Sequence, residues 1–336
     1  MNRFFWAILL IVFFFACKHN PLKVDVSEVK IDLQLKSLDD ALFGARDRLP
    51  EELPSIEAEF ADFLPLFTYQ MIRIGGPENP DYTAHLQSFL DDSLLLELKE
   101  KVDQTFHKER LERELTDAFR HYRYYFPERL IPEVYTCVSG FNQSLVLTDS
   151  LIGISLDKYI GADCEYYTQL GLPRYKIRNM HPEKVVPDVM YAWGLSEWPF
   201  EEITPHLIDR MIYEGKLLYF VDAMLPDVAD SLKIGFTHKQ LEFCRAREDA
   251  MWTYLAENKL LFSTERMDVK RYIDDAPYTS SFTADSPGRT GAWLGWQIVR
   301  SYMKKNPGTS LNELMAETHY QGILNRSGYQ PGRTGK

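Results

Sequence analysis

Glu214 is the residue whose surroundings in the sequence most directly suggest chemistry, because it lies inside a long, mostly apolar segment, residues 203–225. A buried glutamate costs free energy unless it is paired or neutralised, so Glu214 is a candidate functional acid. The structural alternative is an ion pair with Arg210 one helical turn earlier, or with an arginine of another helix. Lys216 lies about 200° around the same helix and therefore faces different surroundings.

The spacing around Glu214 can be compared with a zinc peptidase of the HExxH type. Such an enzyme places two histidine ligands one helical turn apart, with a glutamate beside the first as general base. Here Tyr213 and Leu217 occupy the two ligand positions. Leucine cannot bind zinc and a neutral phenol is a poor ligand, so we predict no metal, no cofactor and no catalytic residue. The alternative function is a degenerate peptidase-like hydrolase that uses Glu214.

A second segment, residues 287–303, is predicted to approach the Glu214 helix. Its Pro-Gly turn precedes Thr290, which can cap a helix, and Gly291 and Gly295 fall on one face of that helix. Each glycine costs a helix roughly 1 kcal/mol against alanine, which indicates that a neighbouring element packs closely against them. Arg289 stands at the start of this helix and is the natural partner for a buried carboxylate such as Glu214. Tyr213, Glu214, Lys216 and Arg289 therefore form the candidate cleft.

The elements that position these residues are mostly helical. Residues 24–26 and 31–35 alternate apolar and polar side chains, which is typical of half-buried strands, and short apolar segments over 132–156 predict a small antiparallel sheet. Helical periodicity covers the following ranges: 38–121, 183–193, 204–225 with Thr204 as its N-cap, 238–258, 290–304 and 311–324. We therefore predict an α+β fold: a predominantly helical single domain with one small antiparallel sheet.

The N-terminus has the pattern of an export signal. Arg3 is followed by an apolar run over residues 4–16, which is shorter than the ~20 residues of a membrane-spanning helix. Ala16 and Cys17 resemble a bacterial lipobox, in which the cysteine receives a lipid before cleavage. We predict a signal peptide over 1–16, a lipidated tether over 17–23 and a single globular domain over 24–336. A permanent membrane anchor is the alternative for residues 1–16.

Composition excludes several classes of protein. Cleavage before Cys17 would remove one of the 38 Lys and Arg residues and leave 49 Asp and Glu, which changes the formal net charge from −11 to −12. Such a balance repels phosphate backbones, so nucleic acid is not an expected partner. The other cysteines, Cys137, Cys164 and Cys244, are odd in number and form no CxxC pair, so we expect buried thiols rather than a disulfide framework or a zinc site.

Four segments in chain order carry a family resemblance: residues 141–144, 154–161, 211–219 and 287–299. Together with the lipobox at Cys17 they resemble the gliding-motility-associated lipoprotein GldB family of the Bacteroidetes, over nearly the whole chain. The resemblance implies a place in the envelope apparatus behind surface gliding and its associated protein secretion. It also implies a distant similarity to predicted zinc peptidases that retain HExxH, and hence a degenerate zincin-like fold.

The functional expectation combines the lipobox, the missing metal ligands and the resemblance. We expect a lipid-anchored, non-catalytic protein of the cell envelope, whose domain lies outside the cytoplasm on either the inner or the outer membrane. Its expected partners are the membrane, through the lipid on Cys17, and other envelope proteins. A transporter's substrate-binding lipoprotein is a third alternative, but the pattern lacks the two doubly wound lobes of that class.

Overall fold

The computed structural model describes residues 20–331, and helices dominate this part of the chain. None of the described helices is both long enough and apolar enough to span a membrane. Their bounds are α1 (Leu38–Gly44), α2 (Leu49–Glu59), α3 (Leu64–Leu66), α4 (Tyr82–Leu90), α5 (Ser93–Thr105), α6 (Lys108–Tyr125), α7 (Glu165–Gln169), α8 (Arg174–Ile177), α9 (Val185–Glu197), α10 (Leu207–Met224), α11 (Asp230–Ile234), α12 (His238–Glu257), α13 (Arg266–Ile273), α14 (Thr290–Lys305), α15 (Leu311–Ala316) and α16 (Tyr320–Ser327).

The described residues form one mixed sheet with the strand order β1-β2-β4-β3. Its strands are β1 (Leu35–Ser37), β2 (Glu133–Cys137), β3 (Leu145–Leu147) and β4 (Leu151–Ser155). The α+β prediction with one small sheet is confirmed, but the prediction that the sheet is antiparallel was wrong for two of its three pairings. β1–β2 and β2–β4 are parallel, and β3–β4 alone is antiparallel. The short connections between β2, β3 and β4 suggested two successive hairpins. Only β3 and β4 form one; β3 is an edge strand, and β2 pairs with β4 rather than with β3.

The sheet separates two hydrophobic cores. Tyr135 and Cys137 of β2 point into a smaller core built mainly from α1 to α4, while Val134 points into the larger core of the other helices. Successive side chains of a strand point to opposite faces, so one strand contributes to both cores. Gly153 of β4 leaves room for the ring of Phe63, against which a Cβ would clash. Coverage on both faces is the usual condition for parallel pairing.

Two predictions near the N-terminus and at the start of α10 were wrong. Residues 24–26 and most of 31–35 are not strands but irregular backbone. Val26 and Leu33 of this segment are buried. Apolar and polar side chains therefore alternate here without the hydrogen bonds of a β-sheet. Helix α10 begins at Leu207 rather than after Thr204. The Asp209 carboxylate accepts hydrogen bonds from the backbone N–H of His206 (3.0 Å) and from its ring (3.0 Å), which makes His206 the N-cap.

The centre of the larger core is the contact between α10 and α14. Every residue of α10 except Arg210 is buried. A Cβ on Gly295 would overlap the carbonyl oxygen of Met211, and a Cβ on Gly215 would overlap the backbone of Gly295. The predicted close approach at Gly295 is therefore confirmed. Gly291 instead faces the Tyr272 backbone at the end of α13, so the two glycines of α14 admit two different neighbours.

Candidate functional site

Glu214 is buried in α10, with 5% of its surface exposed, and both carboxylate oxygens have partners. The Tyr191 hydroxyl of α9 donates a hydrogen bond to Oε2. Arg210 Nη2 lies 3.4 Å from Oε1, and Arg289 Nη2 lies 3.3 Å from Oε2. The two arginines proposed as alternative partners thus bind the same carboxylate together, and Tyr191 is a third partner that the sequence pattern did not indicate.

Arg289 is the N-cap of α14 and adopts a left-handed backbone conformation, with φ of 55°. Such a conformation is unfavourable for a residue with a Cβ and often marks a functional position. Burial alone would lower the pKa of the guanidinium, but the neighbouring Tyr191 and Glu214 outweigh burial and raise it. Burial, followed by the charge of Glu214, also raises the pKa of the Tyr191 phenol. The guanidinium therefore stays charged, and the phenol keeps the proton that it donates.

Tyr213 and Leu217, at the positions of the two zinc ligands in an HExxH helix, are committed to packing. The Tyr213 hydroxyl donates to the Trp198 carbonyl oxygen at 2.8 Å, and its ring lies 4.9 Å from that of Phe200. Burial raises the pKa of the Tyr213 phenol, which disfavours the phenolate that could bind a metal. Leu217 is fully buried. Neither side chain offers a metal ligand beside Glu214.

Lys216 occupies a different environment from Glu214, as its position on the helix predicts. Its ammonium donates to the carbonyl oxygens of Met315 (3.1 Å) and Glu317 (2.6 Å). Burial lowers the pKa of Lys216 to about 8. The structure therefore brings Glu214 and Arg289 together, but it directs Tyr213 and Lys216 to separate neighbours. Cys17 lies outside the described residues.

A cavity of about 350 Å³ opens beside Arg289. Its lining includes Ser144 from the loop that follows β2, and Lys158 and Tyr159 from the turn that follows β4. Three of the four segments that carry the family resemblance thus contribute lining residues, and the fourth contributes Glu214, the partner of Arg289. Segments far apart in the sequence therefore meet at one place, which makes this cavity the candidate functional site.

Several polar residues around the site were missed by sequence reasoning. Asp222 is a further acid in the apolar segment of Glu214, so the same signal would have found it. It accepts hydrogen bonds from Trp296 Nε1 (2.8 Å) and Arg300 Nε (2.9 Å), and Lys233 Nζ lies 2.8 Å from its other oxygen. Lys158 and Tyr159 stood within a segment of the resemblance, but nothing in the sequence placed them near Arg289.

Among the described residues, one group of acids lies close enough together to hold a cation: Asp39, Asp40 and Asp103. Lys99 and Lys108 already neutralise this group, with Lys99 Nζ at 2.9 Å and Lys108 Nζ at 2.7 Å from Asp40. We interpret the cluster as an ion-pair network that ties α1 to α5 and α6. The three predicted thiols, Cys137, Cys164 and Cys244, are free, and Cys164 is only half-buried.

Comparison with known proteins assigns the family. The family described as "Gliding motility protein GldB" matches residues 19–331. No curated protein and no solved structure gives a match, so the similarity to zinc peptidases stays a prediction. The match spans the described fold, the Glu214–Arg289 pair and the cavity beside it. The chain belongs to the gliding motility protein GldB family.

Proposed function

We propose that this protein is a lipid-anchored, non-catalytic component of the envelope apparatus for gliding and its associated secretion, attached to its membrane through Cys17. Family membership supports the association with gliding. The lipobox pattern at Cys17 supports the anchor, and the environment of Glu214 supports the non-catalytic role. Other envelope proteins are its expected partners.

The observation that carries the non-catalytic role is that both carboxylate oxygens of Glu214 already have partners within the protein. A general base needs a lone pair directed at water or substrate. Here Tyr191 and Arg289 bind one oxygen and Arg210 binds the other. The partners are two permanent cations and a protonated phenol, which hold the carboxylate as the charged member of a structural cluster.

The first described residues support a short anchor. The Asn20 side-chain amide donates to the Pro226 carbonyl oxygen at 3.2 Å, and Lys23 Nζ lies 2.7 Å from Asp227. The chain is therefore fastened to the domain only three residues after Cys17. At ~3.5 Å per residue, a lipid on Cys17 would hold this face of the domain within roughly 10 Å of the membrane surface.

Fatty-acid labelling tests the anchor. Cells that produce the full chain are fed a labelled fatty acid, and wild type is compared with Cys17→Ala and, as a control, Cys164→Ala. We expect label in wild type and in Cys164→Ala, and none in Cys17→Ala, because the Cys17 thiol would be the acceptor. Label that persists in Cys17→Ala would refute the anchor. Capture of envelope proteins by the lipidated chain, but not by Cys17→Ala, would then identify partners.

A hydrolase is the second candidate, and the cavity beside Arg289 is the observation that favours it. This alternative expects one zinc per chain after dialysis against a weak chelator, together with peptide hydrolysis that Glu214→Gln abolishes at little cost to folding. Our proposal expects neither zinc nor hydrolysis, and it expects Glu214→Gln to lower stability. Elemental analysis and a hydrolysis assay on the same purified protein separate the two.

A further inference from the structure

The cavity beside Arg289 has an unusual distribution of cations. Lys158 and Lys176 line it, and Arg178 lies at its edge, where its Nη2 approaches the carbonyl oxygen of the lining residue Gly235 at 3.5 Å. Among the described residues, none of these three cations has a carboxylate within ion-pair distance, and the Nε of Arg178 is buried without a hydrogen-bond partner. The protein as a whole carries a formal charge of −11, so three unpaired cations at one cavity call for a ligand.

The acids near the cavity do not neutralise this group. Asp157 is adjacent to Lys158 in sequence, but its two oxygens accept the backbone N–H groups of Ser139 (3.1 Å) and Phe141 (2.5 Å). Asp188 is held by Lys184 at 2.6 Å and by the hydroxyl of Tyr159 at 3.1 Å.

Asp275, the other acid of the lining, is largely exposed and lies 3.9 Å from Arg289 Nε. The charge of Asp275 also acts on Arg178, where it opposes the effect of burial on the pKa of the guanidinium. Asp275 forms no ion pair with Lys158, Lys176 or Arg178 among the described residues.

The position of Lys158 is fixed by the backbone around it. Its ammonium donates to the carbonyl oxygen of Phe141 at 3.1 Å, and Phe141 holds a left-handed conformation with φ of 67°. Burial lowers the pKa of Lys158; Asp157 opposes this effect, and the like charge of Lys176 adds to it. Lys158 and Lys176 therefore carry like charges in the lining of one cavity. Two residues with unfavourable φ thus position cations at the cavity. Phe141 binds the Lys158 ammonium through its carbonyl oxygen, and Arg289 is itself a cation.

We propose that this cavity binds the phosphate group of a small ligand, with Lys158, Lys176 and Arg178 as the cations that hold it. Two lysines in the lining and an arginine at the edge suit a doubly charged group better than a single carboxylate, and lysine and arginine are the usual phosphate-binding side chains. A volume of about 350 Å³ is within the range of small-molecule sites. The phosphate could come from free phosphate or from a lipid headgroup, which share this chemistry.

Thermal unfolding of the purified full chain tests the proposal. Sodium phosphate is titrated at constant ionic strength, with sodium chloride making up the difference, because a ligand that binds the folded state raises Tm. We expect a saturable rise in wild type. Lys176→Gln should raise the half-saturating phosphate concentration at least tenfold, and since Lys176 is exposed, this change leaves folding intact. Arg178→Gln should act in the same direction, and Lys239→Gln, an exposed lysine of α12, should respond like wild type.

Two results would overturn the site: no saturable response to phosphate in wild type, or equal half-saturation in wild type, Lys176→Gln and Arg178→Gln. A second titration with glycerol phosphate, the soluble part of a lipid headgroup, distinguishes the sources. Tighter binding of glycerol phosphate than of inorganic phosphate assigns the site to a headgroup, and the reverse order assigns it to free phosphate. Either order of affinity supports the site, provided that Lys176→Gln raises the half-saturating concentration of both ligands.

Discussion

Two of the three buried acids of helix α10, Glu214 and Asp222, lie about two helical turns apart. Glu214 binds Arg289, the N-cap of α14, and Asp222 binds Arg300 within α14. Asp222 is enclosed: Arg300 binds it through Nε and Nη2 at 2.9 and 3.0 Å, and Lys233 approaches at 2.8 Å. Glu214 has longer contacts with its arginines, at 3.3 and 3.4 Å, and its partner Arg289 lines a cavity. These two acids are equally buried, so they differ in the length of their arginine contacts and in the cavity beside Arg289 rather than in exposure.

The shorter contacts make the Asp222 cluster the stronger of two structural connections between the helices. Arg300 also binds Asp230 at the start of α11, with distances of 2.9 and 2.8 Å, so the Asp222 cluster connects three helices through short, bidentate contacts. Bidentate arginine–carboxylate pairs combine strength with a fixed geometry. The Glu214 cluster joins α9, α10 and α14 with looser geometry beside a space for a ligand. Buried charge alone, as seen in the sequence, does not distinguish the two roles.

Asp222→Asn should cause the largest loss of stability. The substitution keeps the shape and removes the charge, which leaves Lys233 and Arg300 without their shared carboxylate. Breaking a buried pair in this way costs ~3–5 kcal/mol, and denaturant unfolding measures it. Asp227→Asn is the matched control, because that acid is exposed and its ion pair with Lys23 lies at the surface. A loss no larger than that of the control would show that the Asp222 cluster is not structural.

Gly295→Leu should have the next largest effect, because it separates the helices that both clusters connect. A side chain at Gly295 overlaps the Met211 carbonyl oxygen, a backbone atom that cannot move aside alone. Overpacking of this kind costs ~3 kcal/mol, at the upper end of the usual range. Gly44→Leu is the control, since a Cβ there meets no other atom within 4 Å. Equal melting temperatures for the two variants would contradict the close contact between α10 and α14.

Glu214→Gln should cost less than Asp222→Asn, about 1–3 kcal/mol, because its contacts are longer and the cluster borders a cavity. The comparison of the two unfolding free energies tests directly whether the shorter contacts of Asp222 contribute more to stability. Glu114→Gln, at an exposed pair with Arg110, is the control and should stay near wild type. A Glu214→Gln protein as stable as wild type would leave Glu214 without the structural role proposed for it.

Lys216 provides the smallest and most specific test, because it is a buried cation of α10 without a carboxylate contact among the described residues. Its pKa of about 8 in the folded protein lies below the ordinary lysine value of 10.5. The unfolded chain therefore binds more protons between these values, and stability must rise as pH increases through this window. From pH 8 to pH 9 the gain is about 1 kcal/mol. In Lys216→Met this gain should be absent; an identical pH profile in both proteins would contradict the burial of the ammonium.

Much of the fold could be predicted because its helices are local. Helices α12 and α14 follow from apolar periodicity and capping, and their observed bounds differ from the predicted ranges by one residue. The start of α10 could not be predicted, because His206 and Asp209 formed a cap where Thr204 was the conventional candidate. The direction of the strands was equally inaccessible, since pairing of β1 with β2 depends on how the helices between them pack.

The candidate site shows the same division. The amino-acid types and their spacing were sufficient to identify Glu214 as a buried acid, to propose Arg210 and Arg289 as its partners, and to require a close neighbour at Gly295. Those inferences depend on helical geometry and on the cost of burying charge, which act over a few residues. The placement of Lys158, Lys176 and Arg178 around the cavity beside Arg289, and the shorter arginine contacts of Asp222 compared with Glu214, depend on the tertiary structure alone. Electrostatic contacts between distant segments depend on distances that local sequence patterns do not encode.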